Sequence, residues 1–433
     1  MRAFTGVAKN DWAAVKGYYR LIDQPLVSAV TPENILHPHR ERTIRRMQAQ
    51  DTVLCIQDGT DLKYLTRPQC TGLGVIGTNQ TGAQSRGLHL HSTLAVSAEG
   101  LPLGVLRAQC VAPEPRTKAG AAPALEDKKT FRWIEGLRDC VAVAREMSDT
   151  PVISVMDREA DFFDLFVEQR RDPSVELLVR AKHNRRMSKE HTLFEMVRDS
   201  PVRGRLAIAV GRQSARPKSS KKKVRAARAE RTAQVALRYR HVTLTSAAPE
   251  HQHSAPIGVW IVHVRERKPP PGTKPIEWFL LTTLPITSPE QAEQALTWYC
   301  LRWRIEDWHR VLKTGCRIEQ LAHHSAERLE RAIAINLVIA WRIMLMTRLG
   351  REVPELPAEL LFSELEITVL GAFAKSRGLP PPANLGAAVL MVARLGGYLA
   401  RTRDPPPGYQ LMWYGYTTLS GMCAGYALRD ELE

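Results

Sequence analysis

The 433-residue chain lacks a long unbroken apolar run. Its most apolar helical stretch, Ala332–Ala340, is nine residues long, contains Asn336 and is bracketed by Arg331 and Arg342. A bilayer crossing takes ~20 such residues, so no membrane association is expected. The N-terminal MRAFTGVAKNDWAAV has no apolar stretch of the kind a secretory signal carries. No cysteines form a C-x-x-C pair, and the seven (Cys55, Cys70, Cys110, Cys140, Cys300, Cys316 and Cys423) are odd in number. That weighs against a disulfide or zinc framework and for buried reduced thiols in a cytoplasmic protein. No internal repeat is visible.

Acidic residues are comparatively scarce. There are 45 Asp+Glu against 61 Lys+Arg, a net charge of +16. A surplus of this size favours a polyanionic partner such as nucleic acid. Residues 216–231 alone hold eight basic residues and one acid; this run either grips DNA or is a solvated loop. With 44% hydrophobic and 24% charged residues, wholesale disorder is excluded.

The first 50 residues read as helical, with a break at Pro25. From Thr52 the pattern changes to period two. Val53–Gln57 reads as a short strand ending at Asp58, and Leu88–Val96 alternates cleanly. Leu103–Val111 returns from the turn at Glu99–Pro102 to form a hairpin. Thr130–Met147 is helical, with Ile134, Leu137, Val141 and Ala144 on one stripe. Val152–Met156 is a buried-type strand ending at Asp157, with a helix from about Glu159 and a further strand at Val175–Val179. The order β-β-β-α-β-α-β predicts an α/β fold built on a mixed sheet with helices on its faces. Residues 200–287 read as a β-rich insertion. Helix resumes from Pro289 to Lys313 and from Glu327 to Leu349, and 350–433 is a helical C-terminal region. The expected divisions are 1–50, 51–199, 200–287, 288–349 and 350–433.

Three carboxylates stand out. Asp58, in CIQDGTDLKY, and Asp157, in VISVMDREADFF, stand at expected strand ends, where open α/β sheets gather functional groups. Oxygen donors of this type suit Mg²⁺. The plain alternative is that each aspartate caps a turn, Asp157 capping the helix that follows. The third is Glu306. At ~100° per residue, Tyr299, Arg302, Glu306, Arg310 and Lys313 share one helical stripe. The plain alternative there is a solvated face carrying an i,i+4 pair between Arg302 and Glu306. Taken together, the three carboxylates fit a metal site beside a phosphate-binding surface, able to support phosphodiester cleavage.

The string Tyr299-x2-Arg302-x3-Glu306-x6-Lys313 resembles the Y-x2-R-x3-E-x6-K signature of bacterial insertion-sequence transposases of the IS-four group. DGT at Asp58–Thr60 and VMDREADFF at Val155–Phe163 resemble that group's two aspartate motifs. SRGLHLHSTLAV from Ser85, LLVRAKHNRR from Leu177 and EWFLLTTLP from Glu277 agree with their neighbourhoods. The resemblance implies an RNase H-like core in which Asp58, Asp157 and Glu306 are catalytic and bind Mg²⁺, with Mn²⁺ able to substitute. It implies that Tyr299, Arg302 and Lys313 hold DNA phosphates, and Arg310 shares their face. Arg180 and Lys182 match a basic pair that contacts DNA, and Trp278 an aromatic that receives a flipped base. The implied activity is cut-and-paste transposition of double-stranded DNA by a nucleoid-associated homodimer.

The resemblance also implies an additional N-terminal end-reading domain, and the short segment before the DGT strand leads to the expectation that it is absent here. Two further functions therefore stand beside the transposase: a non-catalytic DNA-binding or dimerising inhibitor, and an RNase H-like nuclease without strand transfer. Gly72-Leu-Gly74-Val-Ile-Gly77 matches G-x-G-x-x-G, but no helical pattern follows, which argues against a dinucleotide site. His89-x-His91 and His323-His324 lack a third ligand at metal-site spacing.

Overall fold

A computed structural model describes residues 12–65, 69–78, 82–113, 128, 130–147, 149–211, 227, 229–246, 251 and 254–430. Most of the basic run 216–231 lies outside the described residues. In chain order the elements begin with α1 (Trp12–Ile22), α2 (Pro32–Gln48), β1 (Val53–Lys63), β2 (Gly74–Thr78), β3 (Gln84–Ser97) and β4 (Pro102–Val111). Then come α3 (Phe131–Glu146), β5 (Val152–Met156), α4 (Phe163–Arg171), β6 (Val175–Arg180) and α5 (Leu193–Arg198). Next are β7 (Gly204–Val210), β8 (Arg231–Leu244), β9 (Ile257–Glu266), β10 (Glu277–Thr282) and α6 (Pro289–Leu301). The last are α7 (Trp303–Arg310), α8 (Ala326–Glu352), α9 (Glu364–Ser376), α10 (Leu385–Leu395) and α11 (Tyr409–Asp430). These divide into two compact units, Met1–Ala122 with Trp303–Glu433, and Pro123–Arg302.

The first unit is organised on β3. All of β1 pairs antiparallel with it, from Val53↔Ser97 to Lys63↔Gly87. β2 and β4 pair successive lengths of β3. This corrects the expectation for Asp58, which lies mid-strand, opposite Ser92. Continuous burial ends at Gln57, whereas the hydrogen-bonded ladder continues for six more residues, of which only Leu62 is buried. Hydropathy reports burial, not pairing. The glycine-rich segment forms β2, a strand rather than a phosphate-binding turn.

The 27-residue helix α8 is the centre of this unit, packing on α2 and β4. By length and composition it is apolar enough to cross a membrane, more than the nine-residue count suggested, yet 61% of its apolar window is buried inside the protein. Buried Arg331 explains how the helix holds its neighbours. Its guanidinium donates to three backbone carbonyls, Val30 at 2.7 Å, Ile22 at 3.1 Å and Pro25 at 3.2 Å. It thereby satisfies the C-terminal end of α1 and the turn into α2. The Trp341 indole donates to Pro102 O at 2.9 Å. His39 Nε2 accepts from Val105 N at 3.0 Å, and burial pushes its pKa down to about 4. Further along, α10 and α11 cross closely at glycines. A Cβ on Gly415 would lie 1.7 Å from Val392 O, and one on Gly396 2.0 Å from Leu411 O.

The second unit carries a sheet in the order β5-β6-β10-β9-β8-β7. β5 and β6 run parallel, and every other neighbour is antiparallel, so the sheet is mixed. Because β10 pairs with β6, the strands read as an insertion extend the β5–β6 sheet. α6 starts where Pro289 follows Ser288, whose hydroxyl accepts from Gln291 N while Gln291 reaches back, a capping box. The α/β class, mixed sheet and helical C-terminal region are as expected. The helix expected from Pro289 to Lys313 is instead α6, Arg302, α7 and a π-helical segment Val311–Gly315. Each of these segments is locally helical, so the hydropathy period alone does not separate them.

Candidate active site

In the second unit Asp157 follows the last residue of β5, and Arg180 ends the neighbouring parallel strand β6. Asp157 Oδ1 accepts from Glu159 N at 2.7 Å, capping a single 3₁₀ turn. The cap therefore holds the carboxylate in place at the strand end. Buried Tyr299 on α6 is influenced by Arg302, Arg180 and Asp157 together. Burial raises its phenol pKa, and the two guanidinium groups pull it back. The Arg180 guanidinium lies 5.7 Å from the ring centre of Trp278, and Trp278 meets the Tyr299 ring edge-on at 5.7 Å. Six expected site residues (Asp157, Arg180, Lys182, Trp278, Tyr299 and Arg302) thus belong to this unit, and Lys182 is exposed. Guanidinium groups and an aromatic face beside a carboxylate suit a nucleic-acid strand.

Asp161 was not singled out from the sequence. Its carboxylate is fully buried and accepts from Lys182 N at 2.6 Å, His183 N at 2.8 Å and Arg185 Nη2 at 2.5 Å. It ties the loop after β6 to the turn after Asp157. The second aspartate of VMDREADFF was the available signal.

The first unit holds Asp58 on β1 and Glu306 on α7, both half-buried, and α7 packs against β1. Gly59 N donates to Asp58 Oδ1 at 2.8 Å. Beyond Asp58, Asp61 bonds His89 Nδ1 at 2.7 Å, and its carbonyl accepts from Lys313 Nζ at 2.7 Å. Burial lowers the Lys313 pKa. Lys313 is thus anchored to β1 through one of its three N–H donors. Arg310 is exposed and pairs with Asp307 at 3.0 Å. His309 and Ser92, which carried no weight in the sequence, share a buried hydrogen bond of 3.0 Å. His89 is taken up by Asp61, and His323 by the Tyr18 hydroxyl at 3.0 Å. Among the described residues no group of three or more His, Cys, Asp or Glu side chains is gathered as a metal site. The expected triad is divided, with two members in one unit and one in the other.

Residues 134–342 match the transposase DDE domain, and residues 338–429 match the Tn5 transposase dimerisation domain. Through these two domains the chain is related to the Tn5-type DDE transposases. The DDE-domain match takes in Asp157, Glu306 and all the expected DNA-binding residues, while Asp58 precedes it. The dimerisation-domain match takes in the close crossing of α10 and α11. Transposases of this kind generally work with divalent metal ions, bind DNA and form dimers.

Proposed function

We propose that the chain moves a DNA element by cut-and-paste transposition, with Asp58, Asp157 and Glu306 as its catalytic carboxylates. Three carboxylates are a hard-oxygen donor set, which fits Mg²⁺, with Mn²⁺ as a substitute. The aspartates are held by backbone N–H groups on one oxygen each, Gly59 for Asp58 and Glu159 for Asp157. When bound, the metal would sharpen an attacking oxygen and neutralise the leaving one.

The chain's own residues account for the rest. Arg180, Arg302, Tyr299, Lys182, Lys313 and Arg310 neutralise and orient phosphates, and Trp278 offers a face for an unpaired base. Water attacks a phosphorus at the element end, and the 3′-oxygen leaves with a proton. That 3′-OH then attacks the opposite strand, forming a hairpin and releasing the flanking DNA. Hydrolysis reopens the hairpin, and the regenerated 3′-OH attacks the target. A homodimer acting on double-stranded DNA in the bacterial nucleoid would hold two ends together.

The supporting observation is the strand-end carboxylate Asp157 beside Arg180, Tyr299 and Arg302, within the segment matching the DDE domain. The test uses purified protein, Mg²⁺ and a supercoiled plasmid carrying the DNA that flanks the coding sequence on both sides. Nicked, hairpin and integrated products are expected from the natural chain and none from Asp157→Ala. Equal products from both would overturn the assignment.

A further inference from the structure

Two of the proposed catalytic carboxylates, Asp58 and Glu306, lie in the first unit on different elements, a strand and a helix. Their separation depends on what fixes α7 against β1 and β3. One polar attachment to β3 is made from α7 itself, and two to β1 are made from the segments that follow it, Val311–Gly315 and Ile318–Gln320. Ser92 Oγ and His309 Nε2 are 3.0 Å apart. Lys313 Nζ donates to Asp61 O at 2.7 Å, and Lys63 N donates to Glu319 Oε1 at 2.7 Å.

The first attachment lies nearest the carboxylates. Ser92 is the cross-strand partner of Asp58. His309 follows Glu306 by three residues on the same helix, about one turn away. Both partners are buried, with Ser92 0% and His309 6% exposed. Burial, with Lys313 and His89 nearby, holds the His309 pKa down to about 3, so the ring is neutral and presents one donor and one acceptor.

We propose that the Ser92–His309 hydrogen bond is a positioning brace that sets the spacing of Asp58 and Glu306. The proposal rests on the transposase reading of these carboxylates. Ser92 and His309 touch no reacting atom in this account and act through their neighbours. Arg304 Nε, which donates to Gly100 O at 3.2 Å, and the two attachments that follow α7 keep the helix docked when this bond is lost. Its loss is therefore expected in the chemistry before the fold, since displacing catalytic groups by about 1 Å can cost on the order of 100-fold in rate.

The experiment compares the natural chain with Ser92→Ala, His309→Leu, His309→Gln and Asp58→Asn on the flanking-DNA plasmid. It measures nicking rate at saturating protein, affinity for the same DNA and melting temperature. Ser92→Ala and His309→Leu should nick at least about tenfold more slowly with DNA affinity within about twofold. His309→Gln, whose amide reaches the Nε2 position, should recover most of the rate. Nicking by Ser92→Ala at the natural rate overturns the brace, as does a loss of affinity that matches the loss of rate. Failure of Ser92→Ala to fold would also overturn it, by making the bond a requirement of the fold. Asp58→Asn separates the two levels. If it nicks at the natural rate, the reading of Asp58 falls. If it is inactive and Ser92→Ala is not impaired, only the brace falls.

Discussion

The two units treat their functional residues in opposite ways. In the first, Asp58 and Glu306 share a unit with neutral buried histidine, a lysine bonded to a backbone carbonyl and a carboxylate-bound histidine. These contacts are short, specific and turned inward. In the second, Asp157, Arg180 and Arg302 all act on the Tyr299 phenol, and the Trp278 indole lies against Arg180 and Tyr299. Those groups suit phosphates and bases. The contrast separates geometric control from nucleic-acid recognition, and substitutions in the two units should fail differently.

The largest expected effect is common to both units. Alanine at Asp58, Asp157 or Glu306 should each lower plasmid nicking by on the order of 10³-fold or more with circular dichroism unchanged. A variant with full activity would remove that residue from the triad. Arg331→Ala leaves three carbonyls of the first unit without their donor and should cost about 3 kcal/mol or more in urea unfolding. A loss under about 1 kcal/mol would show that water replaces the guanidinium. Trp278→Ala in the second unit should weaken binding to plasmid-derived DNA ends by about 1–3 kcal/mol in a filter-binding assay. Unchanged binding would mean the indole serves packing alone.

A smaller effect concerns pH. The unfolded chain protonates His39 near its ordinary pKa of 6.5, while the folded chain resists protonation until about 4. Its contribution to stability is whole above pH 6.5 and is lost as pH falls towards 4. His39→Gln, which keeps an acceptor for Val105 N, should flatten the melting temperature across that window. An unchanged slope would assign the acid sensitivity to other groups. The smallest effect belongs to Arg310→Ala. Its exposed pair with Asp307 predicts a change in stability below about 0.5 kcal/mol by thermal unfolding. DNA affinity should fall in the same variant, and unchanged affinity would remove Arg310 from the phosphate-binding set.

Much of the fold was legible because hydrophobic period and turn chemistry agree locally. Val152–Met156 is a strand with the bounds expected from its apolar run, and Pro102–Val111 returns in a hairpin against β3. The strand β2 was not legible, since its glycines carry no alternation. The continuation of β1 past Asp58 was hidden because Gly59, Thr60 and Asp61 are only half-buried, with Leu62 the one buried residue beyond them. For the site, Asp157 and its cationic neighbours could be read from motif and spacing. The Ser92–His309 bond could not, because it joins positions 217 residues apart and each looks like an ordinary core polar residue. Asp161 is intermediate, visible in its motif but not in its three bonds.

Arg331 also has a consequence for the time course of synthesis. Its carbonyl partners at positions 22, 25 and 30 precede it by more than 300 residues. At about 5–20 residues per second, that segment waits roughly 15–60 s on the ribosome before its donor exists. The turn between α1 and α2 therefore cannot reach its final form early, and the N-terminal helices must be secured late, when α8 arrives to close the unit.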